Sequence, residues 1–457
     1  MSKYLLALMI GLLSVVNCQV ANAQRQWTLD ECMDYAISHN VEIRQLQHEQ
    51  QRRQINVQSS KDARLPRFNG DVAGYVGTLH HSGGGYRFDA NLSLLNMGLT
   101  GMLPLYTGHR LSSQIKGNKY SLMAASEDVR SAEKNIKIQV AAAYLQLLYD
   151  KGEVLIAQQR QEVSQLLLKR ANSLFDRGKR PKSDVVEAEA MVSRDEALLA
   201  AAEGDVEMAK LDLQQLLNLP DSVDFDICDL SDSISQPSIV DSQQSMLNAV
   251  NFHPAVQSAN YSILQAEQGV KAARGGYFPT LSLVGELSTF WVDLDTKTSR
   301  SRQIPLMSPW GFGRINYYWS FETEWRRKNF FYSYVGLNLS IPVFNAFETR
   351  AHIRTAKVNL ESAKLAYDEA QRQVRKEIRQ AWQSAVTAQK RYEAEVKSEE
   401  SNALSYRYAL KRYDAGMATL FDLSQTHQLW FTASENALRM KYEYIIRRKI
   451  LEILCQY

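Results

Sequence analysis

The sequence predicts a mainly α fold with a membrane β-barrel part. Three observations carry that expectation: an ungapped internal repeat, a long stretch without helix breakers, and strand-like alternation ahead of each helical arm. The repeat is the strongest. At a shift of 238 residues Pro104 maps to Pro342, Ile115 to Ile353, Leu122 to Leu360, Phe175 to Tyr413, Gly178 to Gly416 and Asp184 to Asp422. Helix periodicity alone aligns leucine with leucine, but not a proline, a glycine and an aspartate in one register, so the chain reads as a duplication. Upstream of the prolines the shift becomes 213, pairing Leu65-Pro66 with Phe278-Pro279, and the 25-residue difference falls in a Trp-, Tyr- and Arg-rich insert near 293–331.

In chain order, Lys3, the apolar run Tyr4 to Val16 and Ala21-Asn22-Ala23 read as a secretory signal over 1–23. Cys18 follows Asn17 rather than a small residue, which disfavours a lipid anchor. Residues 24–218 form the first repeat, 219–241 a polar linker, and 242–457 the second repeat with its insert. At 457 residues the chain exceeds the size of a single core, and duplication accounts for it. Basic residues number 53 against 50 acidic, without long single-sign blocks, which excludes nucleic acid as the expected partner. Cys32, Cys228 and Cys455 are too few and too scattered for a disulfide framework.

From Phe344 to Tyr457 there is no proline and a single glycine, Gly416, so nothing breaks a helix except there. The arm from about Thr349 to Tyr413 is about 65 residues, or about 100 Å at 1.5 Å per residue. Ile353, Leu360, Tyr367, Val374, Ala381 and Ala388 step by seven, as do Ile115, Leu122, Val129, Ile136 and Ala143. That step favours side-by-side helices with a coiled-coil twist.

Strands precede each arm. Leu281, Leu283, Leu287 and Trp291 alternate with Ser282, Glu286 and Ser288; Val335, Leu337, Leu339, Ile341 and Val343 alternate with Gly336, Asn338 and Ser340. In the first repeat Phe68 to Leu79 is a weak strand, and the alternation Leu92, Leu94 slips near Leu95 before Met97, Leu99 and Leu103, which predicts a bulge there. A small sandwich with one wet face would also suit. The export signal and the aromatics at the strand margins favour lipid. Four strands cannot close a barrel, and open edges find no partner in hydrocarbon, so the barrel must be shared. Three subunits of four strands give twelve.

The pattern Trp27-Thr28-Leu29-Asp30-Glu31-Cys32, with Ala36 and Asn40, resembles the start of TolC-type outer-membrane efflux proteins. So do the joints Pro104-Leu105-Tyr106-Thr107-Gly108-His109-Arg110 and Pro342-Val343-Phe344-Asn345, and the tip pattern of an aromatic, a glycine and a later aspartate in both repeats. The resemblance implies a homotrimer: a shared twelve-stranded β-barrel in the bacterial outer membrane and long helical hairpins forming a periplasmic α-barrel, with the linker at its equator. It further implies the passive exit duct of a tripartite efflux pump or type I secretion system. Its partners would be a periplasmic adaptor (membrane fusion) protein, an inner-membrane transporter and outer-membrane lipid.

The resemblance also places a gate at the tips. Asp422 falls at the upper acidic gate position, and the second acid is replaced by Gln425. Ser183, Asp184 and Tyr413 fall on a polar network between the hairpins, with the Tyr413 hydroxyl expected on the Asp184 carboxylate. The basic member falls at Ala418, so Lys179 or Arg180 substitutes or closure is looser. Helix capping is the plain alternative for Asp184 and Asp422. Gly178 is followed by Lys179-Arg180-Pro181 and Gly416 by Met417-Ala418-Thr419, so the Gly416 hairpin is expected to move and line the pore.

No phosphate loop, zinc motif, nucleophile elbow or Cys-x-x-Cys pair occurs, so neither an enzyme nor a cofactor is expected. His80-His81 beside Gly83-Gly84-Gly85 lacks a third metal ligand. A periplasmic helical-hairpin adaptor or scaffold without its own channel is the rival reading, but it has no need of the strands.

Overall fold

A computed structural model describes residues 26–83, 86–220, 225–228, 249–298, 306–308, 311–313 and 328–455. The signal segment with Cys18, Gly84-Gly85 and most of the insert lie outside the described residues. The elements are β1 (Gln26–Trp27), α1 (Leu29–His39), α2 (Val41–Asp62), β2 (Arg67–Gly83), β3 (Tyr86–Thr107), α3 (Arg110–Asp176), α4 (Lys182–Leu217), β4 (Asp226–Ile227), α5 (Pro254–Arg274), β5 (Thr280–Thr298), β6 (Leu306–Ser308), β7 (Gly311–Gly313), β8 (Lys328–Ser340), α6 (Glu348–Asp414) and α7 (Leu420–Cys455). α3 and α6 each run 67 residues and α4 and α7 each 36, with both ends coinciding at the shift of 238. No helix among the described residues is long and apolar enough to cross a membrane.

Compact packing does not follow the sequence repeats. One unit takes Met1–Arg53, Leu122–Ile263 and Ala363–Tyr457, the other Gln54–Ser121 and Leu264–Ser362, so each draws on both halves of the chain.

The first unit is helical. The Thr28 motif has a direct physical cause: Glu31 N–H donates to Thr28 Oγ1 and Thr28 N–H to Glu31 Oε2, a reciprocal cap worth about 1 kcal/mol. Leu29, Cys32, Met33 and Ala36 then form the buried face of α1, and the Asn40 side chain accepts from the Glu42 and Ile43 N–H groups to start α2. These residues share a core with Ile136, Val140, Tyr144, Leu145, Leu213 and Leu217. The segment read as a linker also contributes: Phe225 and Ile227 are buried there, and β4 pairs in parallel with β1. The Tyr144 hydroxyl lies 3.0 Å from Trp27 O and 2.7 Å from Cys228 O, fastening that pair to α3.

The second unit holds an antiparallel sheet of order β2-β3-β5-β8. Its strands of 17, 22, 19 and 13 residues exceed the nine to eleven that span a bilayer. Register assigns the faces. Phe68, Val72 and Val76, then Leu95, Met97 and Leu99, then Leu283, Leu287 and Trp291, then Val335, Leu337 and Leu339 share one face. Asn69, Asp71, Asn96, Thr100, Glu286, Ser288, Tyr332 and Tyr334 lie on the other.

The bulge expected near Leu95 is not there. The β3–β5 register runs unbroken from Phe88 to Pro104 and shifts between Pro104 and Tyr106, where proline has no N–H to give the ladder. The apparent slip near Leu95 is a change of face: Leu92 and Leu94 sit on the polar face, Leu95, Met97 and Leu99 on the apolar one. Just beyond, the joint into α3 uses two left-handed residues, Gly108 and His109, and the joint into α6 uses their equivalents Ala346 and Phe347. Gly108 cannot carry a side chain, because a Cβ would stand 2.5 Å from Gly275 O.

Candidate functional site: the two hairpin tips

Both helical hairpins turn with the same backbone. Gly178 N–H bonds Phe175 O and Lys179 N–H bonds Leu174 O; Gly416 N–H bonds Tyr413 O and Met417 N–H bonds Arg412 O. Gly178 and Gly416 have φ of +66° and +76°, the left-handed residue of a Schellman close. The carbonyls at each helix end are thereby partly satisfied.

The following helices start differently. α7 begins with a reciprocal cap: Thr419 N–H and Oγ1–H donate to Asp422 Oδ2 at 3.0 and 2.8 Å, and Asp422 N–H approaches Thr419 Oγ1 at 3.2 Å. These bonds, the backbone one first, hold the exposed Asp422 carboxyl below its usual range. α4 begins after Pro181 with no side-chain cap, so Asp184 is free of the capping role that Asp422 fills.

Arg180 is the residue that joins the two tips. Its Nη2 donates to Tyr413 O at 3.1 Å and Ala418 O at 2.8 Å, and its guanidinium lies 4.6 Å from the Tyr413 ring centroid. Its Nε stands 4.0 Å from Asp184 Oδ2. Of the two basic candidates beside Gly178, Arg180 makes these contacts, and Lys179 is exposed.

Tyr413 Oη and Asp184 Oδ2 are both buried and not aligned for a full hydrogen bond, though the carboxylate lies close enough to act on the phenol. The guanidinium lies between their roles, covering the ring and facing the carboxylate. Burial first, then the Asp184 charge, pushes the Tyr413 phenol up. Ser183 and Gln425 are exposed, so neither is drawn into this contact.

Other ties join the hairpins. Beneath the turns, Leu167, Ala171, Val185, Ala188, Met191, Tyr406, Tyr413, Leu420 and Leu423 pack together. Ser424 Oγ donates to Glu187 at 3.3 Å, and Arg170 pairs with Asp414 at 3.5 Å. Farther along, Arg160 of α3 is buried between Asp195 of α4, at 2.9 Å, and Glu435 of α7, at 3.1 Å. Burial raises both carboxyls against the opposing pull of Arg160. His427, packed among Tyr406, Trp430 and Phe431, is pushed down to about 4 by burial first and the Arg160 charge second. Sequence reasoning missed Arg160 and His427. The available signal was weak: one basic residue and one histidine inside otherwise apolar stripes.

A sheet with one apolar and one polar face is joined in sequence to paired long helices that turn at two matched glycines. The outer membrane efflux protein family matches residues 33–219 and 248–454. The outer membrane efflux protein BepC of Brucella suis is 24% identical over 279 residues, 61% of this chain and 54% of BepC, so the aligned part spans about half of that relative. The alkaline protease secretion protein AprF of Pseudomonas aeruginosa is 24% identical over 368 residues, covering 78% of this chain and 68% of AprF. A crystal structure of CusC superposes with a TM-score of 0.75 at 16% identity, over 94% of this chain and 92% of that one. The chain belongs to the outer membrane efflux protein family.

Proposed function

We propose that three copies of this chain form the outer-membrane exit duct of a tripartite efflux pump or type I secretion system. The duct is a passive channel, gated at its hairpin tips, that receives cargo through a periplasmic adaptor from an inner-membrane transporter. The observation that carries this reading is the four-stranded sheet. Its apolar face exposes Val72, Val335 and Leu337, and β2 and β8 have one neighbour each among the described strands. Such edges are tolerable in hydrocarbon only when another copy pairs with them. At the tips, Asp422 supplies one acidic ring, Gln425 replaces a second, and Arg180 with Asp184 and Tyr413 forms the closing contact, while Ser183 lies at its margin.

The names of the relatives differ in cargo, one a cation efflux system protein and another an alkaline protease secretion protein. The family therefore does not specify the substrate, and transporter partners choose it. The test is extraction from outer membranes followed by electrophoresis without heating and bilayer recording. A heat-sensitive trimer that conducts is expected. A soluble periplasmic monomer would establish the adaptor reading instead.

A further inference from the structure

On the polar face of the sheet, Glu286 sits directly opposite Tyr334 and diagonal to Tyr332. The Tyr332 hydroxyl donates to Glu286 Oε1 at 2.6 Å and the Tyr334 hydroxyl to Oε2 at 3.0 Å. Each carboxylate oxygen thus takes one phenol. An ionised carboxylate has about four lone-pair positions, so about half of its accepting capacity stays available. The floor is fixed: Ser288, buried next to Glu286 on this face, donates to Asn96 Oδ1 at 3.0 Å. Phe290 follows on the same face of β5. Both tyrosines remain open to solvent, at 43% and 50% exposure, so their rings are accessible to a solute while their hydroxyls are engaged.

This is an anchored negative charge beside two aromatic rings of β8, and aromatic faces attract cations. A carboxylate needed only to brace the edge strand would serve as well with one tyrosine. Two tyrosines hold it across both oxygens and line its β8 side with two aromatic rings, while Thr100 of β3 lies opposite on the other side. We infer that Glu286, Tyr332 and Tyr334 form a wall site for aromatic organic cations. The role of that site along the cargo path rests on the duct reading, in which the polar face lines the lumen.

The probe is tetraphenylphosphonium, titrated by calorimetry into the purified full chain in detergent, with tetraphenylborate as an anion of the same shape. The cation is expected to bind and the anion not. Glu286→Gln keeps an acceptor for one phenol and removes the charge, and should weaken cation binding roughly tenfold, as for a charge pair partly screened by water. Tyr332→Phe with Tyr334→Phe keeps the rings and charge, and should retain most of the cation affinity while the anion still fails to bind. Equal cation affinity in wild type and Glu286→Gln, absence of cation binding, or equal binding of both ions would overturn the site. Bilayer recording of the same preparations separates the two readings. A conducting protein with Glu286-independent binding loses only the site, whereas a non-conducting protein with Glu286-dependent binding loses only the duct.

Discussion

The turn at Gly178 and the turn at Gly416 have the same backbone and opposite side-chain chemistry. Phe175 is 40% exposed where its equivalent Tyr413 is 1% exposed. Arg180 reaches across to the other turn, while its equivalent Ala418 offers only a carbonyl to receive it. Asp184 faces a guanidinium; Asp422 faces solvent and caps its own helix. At the turns themselves, the Gly178 tip gives the Arg180 contact and the Gly416 tip receives it. The two hairpins are equal in length, and differences at a few positions make one a brace and the other the part that is braced. That asymmetry is open to direct disruption.

The largest effect is expected from Arg180→Ala. It removes two charge-assisted bonds to Tyr413 O and Ala418 O, worth about 2 kcal/mol together, or roughly thirtyfold in the population of the open tip. Single-channel recordings should show a matching rise in open time. Lys at 180 lacks the planar fork and should restore only part of the closure. Tyr413→Phe keeps the ring under the guanidinium and discards a hydroxyl without an aligned hydrogen bond, so its open time should stay within about twofold of wild type. A large effect of Tyr413→Phe with none from Arg180→Ala would reverse the assignment.

A second difference lies behind the tips. His427 is buried in α7, whereas its equivalent on α4, Glu189, is exposed. The unfolded chain takes up the imidazole proton near 6.5 and the folded chain only near about 4. Stability is thus fully present above about pH 6.5 and falls as the pH drops toward 4, by about 2 kcal/mol at pH 5. Protonation should loosen the α6–α7 hairpin before α3–α4, seen as faster amide exchange around Trp430 and Phe431. His253 titrates in the same direction, and the raised Asp195 and Glu435 carboxyls oppose it. The comparison with His427→Phe isolates the histidine, because that variant should lose the added pH dependence.

The two glycines probe what the tips share. A Cβ at Gly178 or Gly416 meets nothing within 4 Å, so alanine there costs only the left-handed backbone, about 1 kcal/mol at each site. Thermal melts of Gly178→Ala and Gly416→Ala should therefore shift alike. Unequal shifts would place the asymmetry in the turn backbone rather than in the side chains around it.

The helices were legible in the sequence because the punctuation is sparse and decisive. One glycine and no proline between Phe344 and Tyr457 leave α6 and α7 only one place to separate. Strands were harder. Gly70, Gly74 and Gly77 weaken the β2 pattern, and leucines on both faces of β3 imitate a bulge seven or more residues before the real one. Arg180 was one of two candidates, and nothing in the sequence separated them, because its partners are backbone carbonyls 233 and 238 residues away. Side-chain patterns carry no signal for such acceptors. In the sequence Glu286 reads only as a polar position in an alternating strand, since its tyrosine partners depend on register.

Asp422 tests whether charge and capping can be separated at the braced tip. Asp422→Asn keeps an oxygen for the Thr419 N–H and hydroxyl but removes the charge, while Thr419→Val removes the hydroxyl and keeps the charge. Asp422→Asn should lower the cation-to-anion permeability ratio by about twofold, the modest size expected of exposed and screened charges. Thr419→Val should leave that ratio unchanged and instead fray the first turn of α7, detected as faster amide exchange there. If both variants change the ratio equally, selectivity follows the shape of the tip and Asp422 is only a cap. If neither does, the acidic ring lies elsewhere, and the polar face around Glu286 becomes the next place to measure it.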